Sequence, residues 1–500
     1  MTTAAHRRRA SGARLNPAER RLRTAASTGT VVDLRAGSTT LDDPSAGAHW
    51  GDDRTVGAQL LARLLIGDLA PQSARPRAVR LRGARIAGIL DLQAAELACP
   101  LILRDCYLEK PPDLSEATAP AICLTRCHLP GLMADRLRTT GAFGLNYGTI
   151  TQGPVRLTGA RIGGELNLCG AHLNNPWGRA LSADMLTVEH SMICRFGFTA
   201  QGEIRLAGAS IGGRLDLRGA ALVNPGRCAL SANGLKSEYG ILCMEGFTAL
   251  GEIQVAYSRL GGVLNLTGAS LANPGGTALD LQAADIAALW LLPGQSPDGI
   301  VDLTNTKTGS FRDDQATWPT SLRLRGFTYD ILENDQMTVK DRLQWLTRHP
   351  DGYTPQLYNQ LAAAYQRAGN EQAARQVAIA KQRRRRISFS PLSWLWYLTV
   401  GYGYRPWLAG AWVIALVALG TAVFGGAYPA HMIATTPRPP SFNATAYALD
   451  LLLPVIGLGQ KSAWQPQGPA YQYWSWALTA AGWVLTTAVV AGLTGILKRD

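Results

Sequence analysis

The chain has 500 residues, of which 17% are charged and 47% hydrophobic, with 53 glycines; average soluble domains hold about 25% charged residues and about 7% glycine. This composition excludes intrinsic disorder over most of the length, because the apolar content can offset the entropy of ordering, and it disfavours an ordinary helical enzyme. The net charge of +13 sits in residues 1–30 and 367–405. The rest sums to zero, which leaves no broad basic face for a phosphate backbone, so DNA is not an expected partner.

Residues 1–35 form a basic N-terminal tail and helix. The stretch HRRRASGARLNPAERRLR lacks the apolar core of a signal peptide, which places the N-terminus in the cytosol. Asn16-Pro17 followed by Glu19 spells a helix start with a capping box. Residues 36–75 form a helical N-terminal cap, since RTVGAQLLARLLIGD at 54–68 has the amphipathic spacing that covers an open coil.

Residues 76–330 contain an internal repeat of 49 residues. RLTGARIGGELNLCGAHLNNPWGRALSA at 156–183 returns as RLAGASIGGRLDLRGAALVNPGRCALSA at 205–232 and as QVAYSRLGGVLNLTGASLANPGGTALDL at 254–281. Leu157, Ile162, Leu168 and Leu173 recur in each copy at spacings of five to six residues, which suit neither a helical face nor a long alternating strand. Such spacing suits a coil with short sides and glycine corners. Leu157, Ile162 and Leu168 are echoed by Leu181, Leu186 and Met192, so each unit divides into coils of about 24 and 25 residues. The fold class expected is mainly β, a parallel β-solenoid with helical caps. About ten coils at ~4.8 Å each make a rod roughly 50 Å long.

On these motifs the chain resembles the pentapeptide-repeat and related solenoid proteins. With its C-terminal hydrophobic region included, it resembles a group of actinobacterial membrane proteins often labelled membrane-associated oxidoreductases. That label implies redox catalysis, for which the sequence offers no motif.

All eight cysteines lie between residues 99 and 243 without a C-x-x-C pair, which reads as small hydrophobes in a reduced compartment. Cys194 and Cys243, one repeat apart, are expected at equivalent core positions. No metal or cofactor ligand set emerges, and no catalytic residue is assigned: G-x-G-x-x-G, the P-loop, G-x-S-x-G and H-E-x-x-H are all missing.

Residues 331–388 form an α-helical segment, with helices at 340–349, 356–369 and 370–386, and end in the basic run Arg383, Arg384, Arg385 and Arg386, a contact for anionic lipid headgroups. Residues 389–500 hold eight of the thirteen Trp and form a membrane domain. Its two spans, about 407–428 and 474–497, each approach the ~20 apolar residues that cross a bilayer. Basic residues before the first span and after the second, against only Arg438 and Lys461 between them, place both termini in the cytosol, which makes the chain a multi-pass protein of the cell membrane.

Residues 442–460 form a re-entrant or interfacial segment. Val455, Ile456, Gly457, Leu458 and Gly459 resemble the T-V-G-Y-G filter of potassium channels in placement and in their two glycines, and Asp450 is an acid at membrane depth. The expected function is a non-catalytic, membrane-tethered cytosolic scaffold or sensor whose partners are membrane lipids and an unidentified protein. The alternative is the pore subunit of a two-span cation channel, a homo-oligomer and as a channel a tetramer.

Overall fold

The computed structural model describes residues 15–69, 77–333, 337–385, 407–453 and 457–497. It divides into two compact units at Gly369/Asn370.

The first unit is a parallel β-solenoid of about 11 turns. One turn shows why the sequence coils. Val155 and Leu157, Ala160 and Ile162, Leu166 and Leu168, Ala171 and Leu173 are all buried, two per side on four sides. Between them the chain bends at Gly159, at Gly163-Gly164, at Gly170 and at the Asn175-Pro176 turn. Gly159 and Gly170 have φ of 65° and 63°, a left-handed conformation in which a Cβ is strained. Stacking aligns the inward residues into ladders: Val155 pairs with Leu181, then Ile204, Leu230, Ile253, Leu279 and Val301. Every rung is buried, each contributing roughly 1.5–3 kcal/mol.

The repeat period is observed, but its division differs from expectation. Leu166 pairs with Met192, Met192 with Leu215, Leu215 with Ile241 and Ile241 with Leu264, so turns alternate between 26 and 23 residues. Leu181 stacks on Val155 and not Leu157, and Met192 on Leu166 and not Leu168. The extra three residues lie in the Asn-Pro turn, where Asn174 to Arg179 oppose Gln201 to Glu203.

The solenoid begins upstream of residue 76, because Val31–Asp33 pairs with Val79–Arg82 and Thr55–Gly57 with Arg85–Ala87. Helix α1 (Pro17–Thr28) covers this end and carries the expected capping box. Asn16 donates to Thr55 O at 2.8 Å, and Glu19 accepts the Gly57 N–H at 3.0 Å, so the cap also serves the sheet edge. Helix α2 (Ala58–Leu65) is shorter than the expected 54–68. Arg54 cannot join it, being held by Asp42 at 2.9 Å, by Gly83 O and by the face of Trp50.

At the far end, α3 (Val339–Leu346) and α4 (Pro355–Arg367) cover the last turn. They follow the expected helices closely, and their neighbours satisfy the exposed edge: Leu322 N–H donates to Arg348 O, Leu324 N–H to His349 Nδ1, and Gln360 and Arg367 both donate to Tyr329 O. Beneath them Arg342 and Asp313 pair at 2.7 Å with almost no exposure, and the Trp318 indole donates to Asp313 at 2.7 Å.

In the second unit, α5 (Glu371–Arg385) is followed by α6 (Trp407–Ala427), α7 (Ala444–Leu452), α8 (Gln460–Ala463) and α9 (Pro469–Leu497). Met432–Ala434 pairs antiparallel with Trp464–Pro466. Helices α6, α7 and α9 meet through small residues. A Cβ on Gly420 would lie 2.8 Å from that of Ala448, and one on Gly482 would clash with Leu452 O, so the helices approach closely at these glycines. Phe424, Tyr447, Leu451, Leu452 and Leu478 form the core of this unit.

Candidate functional site

The loop that joins α6 to α9 holds most of the residues singled out by sequence. Asn443 starts α7 by accepting the N–H groups of Thr445 and Ala446. The nine residues of α7 lie within the expected re-entrant segment.

Asp450 is buried on α7. Its Oδ1 accepts the Leu458 N–H at 2.9 Å and its Oδ2 accepts the Lys461 N–H at 2.8 Å. Two main-chain donors thus account for the carboxylate, which folds the following loop back against α7. Gln460, also buried, accepts from Asn443 N–H and donates to Ser441 O. Gly459 has φ of 77° as the residue preceding α8, so this glycine meets a backbone requirement. Gly457, Leu458 and Gly459 are exposed. Val455 and Ile456 lie outside the described residues.

Arg383 and Arg384 are exposed near the end of α5, Arg385 is its last residue, and Arg386 lies outside the described residues. Helix α6 supplies an 18-residue apolar stretch, Gly410–Ala427, of which only 17% is buried. It is the one helix among the described residues that is long and apolar enough to cross a membrane. Trp474, Trp476 and Trp483 on α9 are exposed as well.

On the solenoid, burial pushes the thiols of Cys99, Cys127, Cys169, Cys194 and Cys243 up, and Cys228 rises to about 12 through burial and the nearby Glu203 and Glu252. These are poor nucleophiles. Cys194 and Cys243 occupy equivalent core positions, with Leu217 between them on the intervening turn. Among the described residues no group of three or more His, Cys, Asp or Glu could hold a metal ion.

Sequence reasoning missed the Asn-Pro turn as a device. Asn175, Asn224 and Asn273 each donate to the carbonyl four residues on, at 2.7–2.8 Å. Gly202, Gly251 and Gly299 lie under those turns, where a Cβ would press on the turn carbonyls. The signal was present as N-P in every copy with G-E-I or G-I 26–27 residues after the Asn. Comparison with family models, with curated proteins and with solved structures returns no match for this chain.

Proposed function

We propose that the protein is a non-catalytic scaffold or sensor, a rigid β-solenoid tethered to a membrane by a helical hairpin of α6 and α9. The observation that carries this reading is the apolar stretch of α6, which leaves most of its surface, Ile414 at 73% included, outside its own unit's core. Exposed apolar surface of that extent needs lipid or another protein to cover it. Exposed Trp474 and Trp476 near the start of α9 are residues suited to a membrane interface. The solenoid contributes a long surface of satisfied backbone, and burial raises the thiols of Cys99, Cys127, Cys169, Cys194, Cys228 and Cys243 away from the reactive thiolate form. Extraction of membranes with alkaline carbonate tests the tether. The chain should remain in the pellet and move to the supernatant only with detergent; release by carbonate alone would refute it.

The channel reading draws on the short helix α7 followed by the exposed Gly457–Gly459 loop. It requires symmetry-related copies around one axis, so a monomer by light scattering in mild detergent removes it and leaves the tether untouched.

A further inference from the structure

The charge that cancels along the sequence does not cancel around the turn. One side of the solenoid is built from Val79–Arg82, Leu101–Arg104, Ile122–Thr125, Phe143–Asn146, Leu166–Asn167, Met192–Ile193 and Leu215–Asp216 stacked in parallel. From Arg80 to Glu245, this side and its adjoining corner carry seven arginines against four acids, Asp105, Glu165, Asp216 and Glu245. Asp105 is shared by Arg82 and Arg126, and Asp216 by Arg195 and Arg218. Arg80, Arg104 and Arg214 are exposed, and none of the three makes an ion pair among the described residues. Arg82 and Arg104 are direct cross-strand neighbours, a like-charge placement that costs stability.

The corner beside this side carries the aromatic residues. It takes a left-handed residue at every turn: Gly83, Gly170, Gly219 and Gly268 at four, and the charged Asp105, Arg126 and Glu245 (φ 53°, 49° and 54°) at three. At two turns it is filled by Tyr147 (φ 48°) and Phe196 (φ 52°), which are 55% and 67% exposed. The strain of a bulky residue there is therefore not offset by burial. The two rings flank Gly170, whose Cβ would lie 3.5 Å from Tyr147 Cα and 3.2 Å from Phe196 O, so they stand two rungs apart, about 9.6 Å. The Arg195 guanidinium lies 4.7 Å over the Phe196 ring.

We propose that this side is a docking face for an anionic bilayer, with Arg80, Arg104 and Arg214 on lipid phosphates and Tyr147 and Phe196 in the interfacial layer. A flat side bordered by a projecting aromatic corner matches a planar partner, and excess arginine matches its charge. The proposal rests on the tethered reading, because a tether supplies the effective concentration that makes weak surface contacts count.

The test uses the full chain in lipid nanodiscs, with a nitroxide at F196C or, as control, at M185C, which is 66% exposed on the diagonal corner of the same turn; unmodified chain serves as the labelling blank. With phosphatidylglycerol in the disc, the label at 196 should lose collisions with an aqueous nickel chelate and gain collisions with oxygen, while the label at 185 does not. In discs of phosphatidylcholine alone the difference should vanish. R80Q/R104Q/R214Q should lower the docked-to-undocked ratio on the order of a hundredfold. Equal behaviour of the two labels in anionic discs, or a triple variant that docks unchanged, overturns the proposal. Protection of the 196 label by added oligouridylate and not by lipid assigns the side to RNA and overturns it too. A chain that never enters the discs sinks the tether itself, a distinct outcome.

Discussion

The buried pair under the C-terminal cap permits a quantitative forecast. Arg342 and Asp313 meet at 2.7 Å with side-chain exposures of 1% and 0%, and Asp313 also accepts the Trp318 indole N–H. Asp313→Leu leaves a buried guanidinium without its counter-charge, a loss of about 3–5 kcal/mol, and strips the indole of its acceptor for roughly 1–3 kcal/mol more. Arg342→Met removes the counter-charge of the carboxylate and costs about 3–5 kcal/mol. The double variant removes both charges and retains only the indole penalty, so the two single losses should fail to add by about 3 kcal/mol or more. Because turns of a solenoid unfold locally, the readout is hydrogen exchange at the Leu322 and Leu324 amides, which donate to Arg348 O and His349 Nδ1. Each single change should speed their exchange about a hundredfold or more, and the double change far less than the product of the two. Additive losses would show that the pair does not hold the cap and refute the reasoning.

Three further outcomes follow from local geometry. Gly251→Ala sets a Cβ 2.5 Å from Asn224 O at a backbone φ of 124°, and should lower the thermal midpoint and expose the Asn224–Arg227 turn to protease; unchanged resistance would mean that the turn is not seated on this glycine. Asp450→Ala should raise amide exchange at Leu458 and Lys461 selectively, while the core amides of α9 keep theirs. Burial holds the His128 imidazole, stacked 5.5 Å from Tyr107, below the ordinary histidine range against the pull of Asp43. The fold therefore favours neutral His128, its contribution is present above pH ~6.5, and it is lost as pH falls through the depressed folded value; His128→Gln should flatten this part of the stability curve, measured by denaturant midpoint.

How far the sequence spoke depended on the range of the interaction that decides each element. The Asn16–Glu19 box and the helices α3 to α5 were legible because caps and periodicity act within a few residues. The 49-residue period was legible because three copies repeat it. Its division was not, since the stacking of Leu181 on Val155 depends on where the Asn-Pro turn stores its three extra residues, and the turn is seated on Gly202 of the following coil. Helix α2 was expected too long because RTVG continues the apolar pattern, while tertiary pairing of Val56 with Ile86 claims those residues as strand. Asp450 invited a functional reading because an acid in an apolar run is costly; its two N–H partners, eight and eleven residues on, are beyond any local pattern.

Net charge summed along the chain does not report the charge of any one side of a solenoid. A coil of alternating 26 and 23 residues sends neighbours in sequence to different sides and gathers residues some 21–26 positions apart onto one. Nearby acids in sequence leave for other stretches of the turn: Asp91 and Asp113 sit on their own bridges, and Glu116 pairs with Arg136. Neutrality per segment is thus compatible with a polar cross-section. For a solenoid, the physical unit of charge is the side, and its composition can be read only once the register of the turns is known.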